Sequence, residues 1–385
     1  MKRIKCKNII SSNGIFDGYI YFEDGKIKEL SDKAYSADEE YDAGDLYLSA
    51  GWIDIHTHGG GGYSFDGSVE EIISACDFHL KHGTTSICPT VSAAPFEKMA
   101  ACAEKIQAAS RSSQLKNTII GAHLEGPYLS KKQCGAQCCD HITSPKADEY
   151  LPFLEKNTSA VARWSYAPEN DLDGGFLKAL GSFHVVPSIG HSDAAYRHIL
   201  PAFENGCKLV THLYSCTSTV TRDHGFRSLG VIESAYLLDD MFAEIICDGK
   251  HLPAELIKMI YKIKGADRVA LVTDSLSLAG TKETHGFMQD TEYLIEDGVC
   301  KLVDRSAFAG SIATADRLVR VAVKEAGISL LDAVKMITAT PAKIMGLENK
   351  GAILPGMDAD MVIFDEDINV KQVFCGGRKV LENKI

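Results

Sequence analysis

The chain has 385 residues, 45% hydrophobic and 24% charged, an ordinary globular composition and more length than one small domain needs. A formal net charge of −12, with no Lys/Arg cluster denser than Lys131-Lys132, argues against a nucleic-acid partner, which selects a basic face. No apolar run approaches bilayer length and no secretory apolar segment follows Met1-Lys2-Arg3, so a cytoplasmic protein without membrane contact is expected.

In chain order, residues 1 to about 50 predict short strands. "GIFDGYIYFEDGKIKEL" alternates apolar and polar residues around a hairpin turn at Asp24-Gly25. "GWIDIHTHGGGG" follows. On a strand, residues i and i+2 share a face, so His56 and His58 project together and the glycines behind them let the backbone turn. Alone, the pair reads either as half a metal site or as two satisfied histidines.

From about 51 to 347 short apolar runs recur: "TTSICPTV", "TIIGAHLEG", "HVVPSIGHS", "KLVTHLYS", "FAEIICDGKH" and "RVALVTDS". Amphipathic stretches such as Phe96 to Ser110 and Ala254 to Lys264 lie between several of them. This alternation predicts an α/β parallel sheet, and its length suits a TIM-like (β/α)8 barrel with insertions. A doubly wound sheet would want a phosphate-loop fingerprint that Gly59 to Gly62 does not supply. Two more helices are predicted over Ala315 to Ala326 and Leu330 to Thr338, the second capped by Ser329 with Asp332 and followed by Pro341. The end, "GAILPGMDADMVIFDEDINVKQVFCGGRKVLENKI", predicts a Pro-Gly turn, a strand through Met361 to Phe364, a Gly376-Gly377 turn and a final strand. Residues 1–50 plus 348–385 are thus expected to form one small sheet domain around a barrel at 51–347.

Six apolar runs close on a residue that can bind metal or move a proton: His56 and His58, Glu125, His191, His212, His251 and Asp274. In a parallel barrel the C-terminal strand ends meet on one face. Singly, Glu125 and Asp274 could be helix N-caps, His191 could precede a helix, and His212 could be a buried histidine. Together they predict one site, with His123 left out as a core or supporting residue. Imidazole with carboxylate suits zinc, iron, manganese or cobalt, and ligands dispersed from His56 to Asp274 mark a catalytic rather than a structural centre. Such an ion lowers the pKa of water and polarises a carbonyl; Asp274 is the natural base toward that water and acid toward the leaving group. In a reducing compartment the 12 cysteines are expected to be free thiols, Cys134, Cys138 and Cys139 included, and no second Cys/His pair lies where those three could complete a zinc site.

"GWID-x-H-x-H-G", "HLEGP", "GHS", "THL", "CDGKH" and "LVTDS", in this order, resemble the amidohydrolase superfamily and, within it, the N-acetylglucosamine-6-phosphate deacetylase family. The resemblance covers the whole chain. It implies a metal-dependent barrel with a small β-sandwich built from both termini. Glu125, His191 and His212 match the principal metal site, and His56 and His58 match a pair that holds a second ion in some members, so one or two divalent ions per subunit are implied. Asp274 matches the catalytic aspartate and His251 a histidine that contacts substrate. Arg222 falls where an arginine binds the sugar phosphate; Phe308-Ala309-Gly310 match a stretch lining the substrate.

Three places depart from the pattern. Ser215-Cys216-Thr217 stand where Asn-Ala-Met is usual, and Ala136-Gln137 stand where the family has Ala-His, placing Gln137 at a substrate-holding position. Arg222, in "RDHG" rather than "REPG", lies one residue nearer to His212. The implied reaction is hydrolysis of the acetamide of N-acetylglucosamine 6-phosphate, by a homodimer. N-acetylgalactosamine 6-phosphate or another N-acyl sugar is the near alternative. An amidohydrolase remade for a cyclic amide, dipeptide or deaminase substrate is the distant one, and a silent metal-binding protein the last.

Overall fold

In the computed structural model, residues 1–157 and 159–382 are described. Eight strands pair in parallel and in chain order: Trp52–Thr57, Thr84–Ser92, Ala122–Glu125, Val161–Tyr166, Val186–Ile189, Leu209–Val210, Phe242–Ile246 and Val269–Val272. The eighth returns to the first. The Thr273 hydroxyl donates to Asp54 Oδ2 at 2.6 Å and the Asp274 amide to the His56 carbonyl at 2.9 Å. This is the expected barrel, and its strands are almost wholly buried because helices cover the outside and side chains fill the inside.

The fourth strand, "VARWSY", is absent from the predicted runs because Arg163 interrupts its apolar pattern. That arginine points into the barrel and is fully buried. Its guanidinium pairs with Glu244 on the seventh strand and donates to Ser188 Oγ, Thr211 Oγ1 and the Ile55 carbonyl at 2.9–3.1 Å. Five strands are tied through one cation, whose donors are all satisfied.

Among the helices, Phe96–Ser110 and Ala254–Lys264 lie where periodicity predicts them. Val69–Leu80 opens on a capping box, Ser68 with Glu71, and buries Ile72, Ile73, Cys76 and Leu80. The stretch predicted as one helix over 315–326 is α-helical only to Arg320 and continues as a π turn over Val321–Glu325. Ser329 caps Leu330–Ile337 by accepting from the Asp332 amide at 3.1 Å. Pro341 sits in the first turn of a further short helix, Ala339–Ile344, where no backbone donor is missed.

Strands from both ends of the chain share one eight-stranded sheet. Lys2–Ser11 pairs with Gly14–Glu23 and, in parallel, with Tyr47–Ala50; Met361–Phe364 then pairs antiparallel with Tyr47–Ala50 and leads out to Val370–Cys375 and Arg378–Glu382. Residues 383–385 of the expected terminal segment lie outside the described residues. The sheet has its own core, including Ile4, Ile20, Leu48, Met361 and Phe374, and meets the barrel where Phe364 packs on Trp52 with ring centroids 5.6 Å apart. A second sheet was not foreseen: His285–Met288, Thr291–Glu296, Val299–Leu302 and Phe308–Gly310 form four antiparallel strands after the eighth barrel strand. These strands are short and half-exposed, so their apolar alternation is weak.

The expectation of free thiols fails at one place. Cys134 and Cys139 are joined in a disulfide, because the short loop between them brings their Cα atoms to 5.9 Å, within bridging range. The other ten cysteines are free.

Candidate metal centre and active site

Six side chains named from the sequence meet at the C-terminal rim of the barrel. They arrive from five strand ends, each side chain at the end of a strand or immediately after it. His56 and His58 come from the first strand, Glu125 from the third, His191 and His212 from just past the fifth and sixth, and Asp274 from just past the eighth. Neither Glu125 nor Asp274 begins a helix, which removes the N-cap alternative. The backbone is held in the left-handed region at His191, His212, Tyr214, Cys216 and Asp274, with φ between 27° and 79°. Non-glycine residues adopt this region at a cost of order 1–3 kcal/mol each, and such strain concentrates where side chains must be aimed.

The imidazole Nε2 atoms converge on the two carboxylates. Glu125 Oε1 lies 3.2 Å from His191 Nε2 and 2.9 Å from His212 Nε2; Glu125 Oε2 lies 3.3 Å from His58 Nε2. His58 Nε2 is also 3.2 Å from Asp274 Oδ1, and the Nε2 atoms of His56 and His58 are 3.3 Å apart. Ligand atoms around one tetrahedral zinc sit about 3.3 Å from one another, given bonds of about 2.0–2.1 Å. These donors are therefore spaced as ligands of shared ions. Three sets each lie with all ligand atoms within 4.8 Å: His56–His58–Glu125, His56–His212–Asp274 and Glu125–His191–His212. Buried nitrogen and carboxylate oxygen donors in this density fit a divalent transition metal.

Supporting contacts fix the ring orientations. His58 Nδ1 meets Ser92 Oγ at 3.0 Å, and His191 Nδ1 meets the Gln133 carbonyl at 2.9 Å, so each turns Nε2 toward the centre. His251 Nδ1 meets Asp248 Oδ2 at 2.9 Å, and its ring packs edge-on to Phe308. His123 lies outside the donor sets, held between Thr90 Oγ1 and Ser165 Oγ, with burial pushing its pKa well down. Burial also drives the Glu125 and Asp274 carboxyls upward. Facing imidazoles, His56 with His191 and His56 with His58 respectively, more than offset this and leave both acids below their ordinary values.

A cavity of about 220 Å³ opens over these donors. His58, Glu125, His191, His212, His251 and Asp274 form its reactive wall, while His56 lies fully buried beneath. Ala136, Ser215, Cys216 and the stretch Phe308-Ala309-Gly310 line the rest, as do Tyr214 and Met288, which the sequence had not singled out. Two expected site residues behave differently. Gln137 lines the cavity, but its amide is engaged within the protein: it donates to Glu125 Oε2 and accepts from the Ala93 amide. Arg222 does not line the cavity. It stands on an exposed hairpin, Thr221–Asp223 with Phe226–Ser228, paired across the ladder with Arg227. Asp248 and Ser92 were missed, although Asp248 lies in the quoted run "CDGKH" three residues before His251.

A parallel eight-stranded barrel carrying imidazole and carboxylate donors at its C-terminal rim defines a class, and residues 47–380 match it: the chain belongs to the amidohydrolase family. Among particular relatives, it is 32% identical to an N-acetylglucosamine-6-phosphate deacetylase of Haemophilus influenzae, over 86% of each chain. It is 31% identical to an N-acetylgalactosamine-6-phosphate deacetylase of Shewanella sp. (strain ANA-3), over 86% of this chain and 82% of that one. Its fold superposes with a TM-score of 0.92 on the solved structure of a mutant N-acetyl-D-glucosamine-6-phosphate deacetylase from Mycobacterium smegmatis in complex with N-acetyl-D-glucosamine-6-phosphate. That match has 25% identity and covers 99% of both chains.

Proposed function

We propose that the protein hydrolyses the acetamide of N-acetylglucosamine 6-phosphate, giving glucosamine 6-phosphate and acetate. The observation that carries this is the set of buried imidazole and carboxylate donors opening on a cavity that also holds His251 and Asp274. The relatives act as support, since both glucosamine and galactosamine phosphate deacetylases align along most of the chain.

Glu125, His191 and His212 would hold the principal ion, and His56 and His58 would serve a second; zinc, iron, manganese and cobalt all suit these donors. Such an ion would supply Lewis acidity toward the acetamide carbonyl and toward water. Asp274 takes the proton from the attacking water, and the same carboxyl passes it to the departing sugar nitrogen as the C–N bond breaks. Its lowered pKa keeps it ionised and ready as a base at neutral pH. His251, steadied through Nδ1 by Asp248, places its other ring nitrogen beside the carbonyl oxygen. Ala136, Ser215, Cys216 and Phe308-Ala309-Gly310 shape the sugar pocket.

Arg222 is assigned to the phosphate. Its support is the exposed hairpin, which follows shortly after the cavity-lining Ser215 and Cys216 and sets two guanidiniums across one ladder. Homodimer formation through this face belongs to the same reading, since Phe226 on the hairpin is 81% exposed.

The test is acetate release by metal-loaded protein from N-acetylglucosamine 6-phosphate, N-acetylgalactosamine 6-phosphate and both unphosphorylated sugars. The glucosamine phosphate should be preferred, and Arg222→Ala should raise KM for the phosphorylated sugar alone. Preference for the galactosamine phosphate would transfer the assignment to that epimer. No turnover of any sugar by protein holding its metal would point to a remade amidohydrolase pocket.

A further inference from the structure

Gln137 occupies a position that the family resemblance gives to substrate, yet the structure uses both ends of its amide elsewhere. The side chain is 6% exposed. The Ala93 backbone N–H donates to Oε1 at 2.8 Å, and Nε2 donates to Glu125 Oε2 at 2.7 Å. The partners fix the amide's direction: a backbone N–H needs an acceptor, and an ionised carboxylate needs a donor, so the reverse orientation would leave both unmet. The anchor is firm, because Ala93 is buried directly after the second barrel strand. The loop that carries Gln137 is clasped by the Cys134–Cys139 bridge on either side of it.

The consequence falls on Glu125. One oxygen, Oε2, is held by the amide and by His58; the other, Oε1, faces His191 and His212. A carboxylate with one oxygen fixed by a neutral donor presents the second in a single orientation and keeps its full negative charge for a cation. A histidine side chain there could become charged; an amide does not.

We propose that Gln137 is a positioning residue for the metal centre, acting through Glu125, and that it does not hold the sugar. The inference rests on the reading of Glu125 as a metal ligand, and its test separates the two.

Chelator-stripped protein is titrated with Zn²⁺ for wild type, Gln137→Met, Gln137→His and Glu125→Gln, and kcat and KM are then measured at saturating Zn²⁺. Gln137→Met keeps the length and loses the amide; its Zn²⁺ affinity should fall about 10- to 100-fold, the usual size of an effect on a ligand's supporting partner, with KM unmoved. Gln137→His, which can accept at one ring nitrogen and donate at the other, should regain most of that loss. Should Gln137→Met fail to fold, Gln137→Asn takes its place: one methylene shorter, it cannot reach Ala93 and Glu125 together and should show the same weakening. Wild-type Zn²⁺ affinity in Gln137→Met or Gln137→Asn, with a raised KM, would overturn the proposal and return Gln137 to the substrate. Full Zn²⁺ affinity in Glu125→Gln would overturn the metal reading beneath it.

Discussion

Asp274 is buried among imidazoles, and its one necessary property is an ionised oxygen near the scissile bond. Asp274→Asn preserves the shape and removes the proton acceptor, so kcat should fall about 10²- to 10⁴-fold, the range for a lost general base. The thermal unfolding midpoint should stay close to wild type; acetate release and a melting curve on one preparation check both. Residues like this one were legible from sequence because chemistry-bearing side chains sit at the ends of apolar runs, where a barrel must bring them together. Their supporting partners were not. Gln137 reaches Ala93 across 44 positions and Glu125 across 12, and no local pattern encodes either distance. Arg222 is the opposite case: a motif match placed it, while its hairpin carries it out to solvent, away from the cavity lining.

At the scale of elements, two buried polar groups do structural work inside apolar segments. Helix Val69–Leu80 buries His79, whose Nε2 meets the Gly59 carbonyl at 2.9 Å beside the glycine turn. Burial pushes its pKa down to about 4. A depressed histidine binds fewer protons folded than unfolded, so its contribution is present above the unfolded value near 6.5 and lost as pH falls toward 4. Stability should drop across that window by up to about 3 kcal/mol, and His79→Gln should flatten the drop in denaturation curves taken at successive pH values. On the fourth barrel strand, Arg163→Leu strands Glu244 without its cation, and urea unfolding should register a loss of about 3–5 kcal/mol. The same arginine hid its strand from the sequence reading: a charge in mid-run breaks the apolar signature unless its buried partner, Glu244 on the seventh strand, is already known. Helices gave the clearer signal, since periodicity over ten or more residues survives a single exception.

On the scale of the whole molecule, the terminal sheet and the barrel share one apolar cluster, to which the sheet contributes Ile10, Val362, Phe364, Val370 and Val373. Phe364 packs against Trp52 at the start of the first barrel strand and stacks on Tyr47. Phe364→Ala should destabilise by about 3–5 kcal/mol, and activity at moderate temperature should fall with the folded fraction rather than through KM. Both terminal segments were readable as strands from their turns and alternation. Their union in one small sheet domain was expected too; the pairing between Tyr47–Ala50 and Met361–Phe364 that achieves it is not announced by local sequence.

The donor atoms at the rim come from the first, third, fifth, sixth and eighth strand ends, so an ion held there is also a rivet through the closure of the barrel. Any ligand that binds only the folded chain adds RT ln(1 + [L]/Kd), about 2.7 kcal/mol when free ion stands at a hundred times Kd. The unfolding midpoint should therefore climb with free Zn²⁺ and fall after chelation. A cell short of metal would lose this protein twice over, first as a catalyst and then as a folded molecule, since the unfolded chain is the one open to proteases.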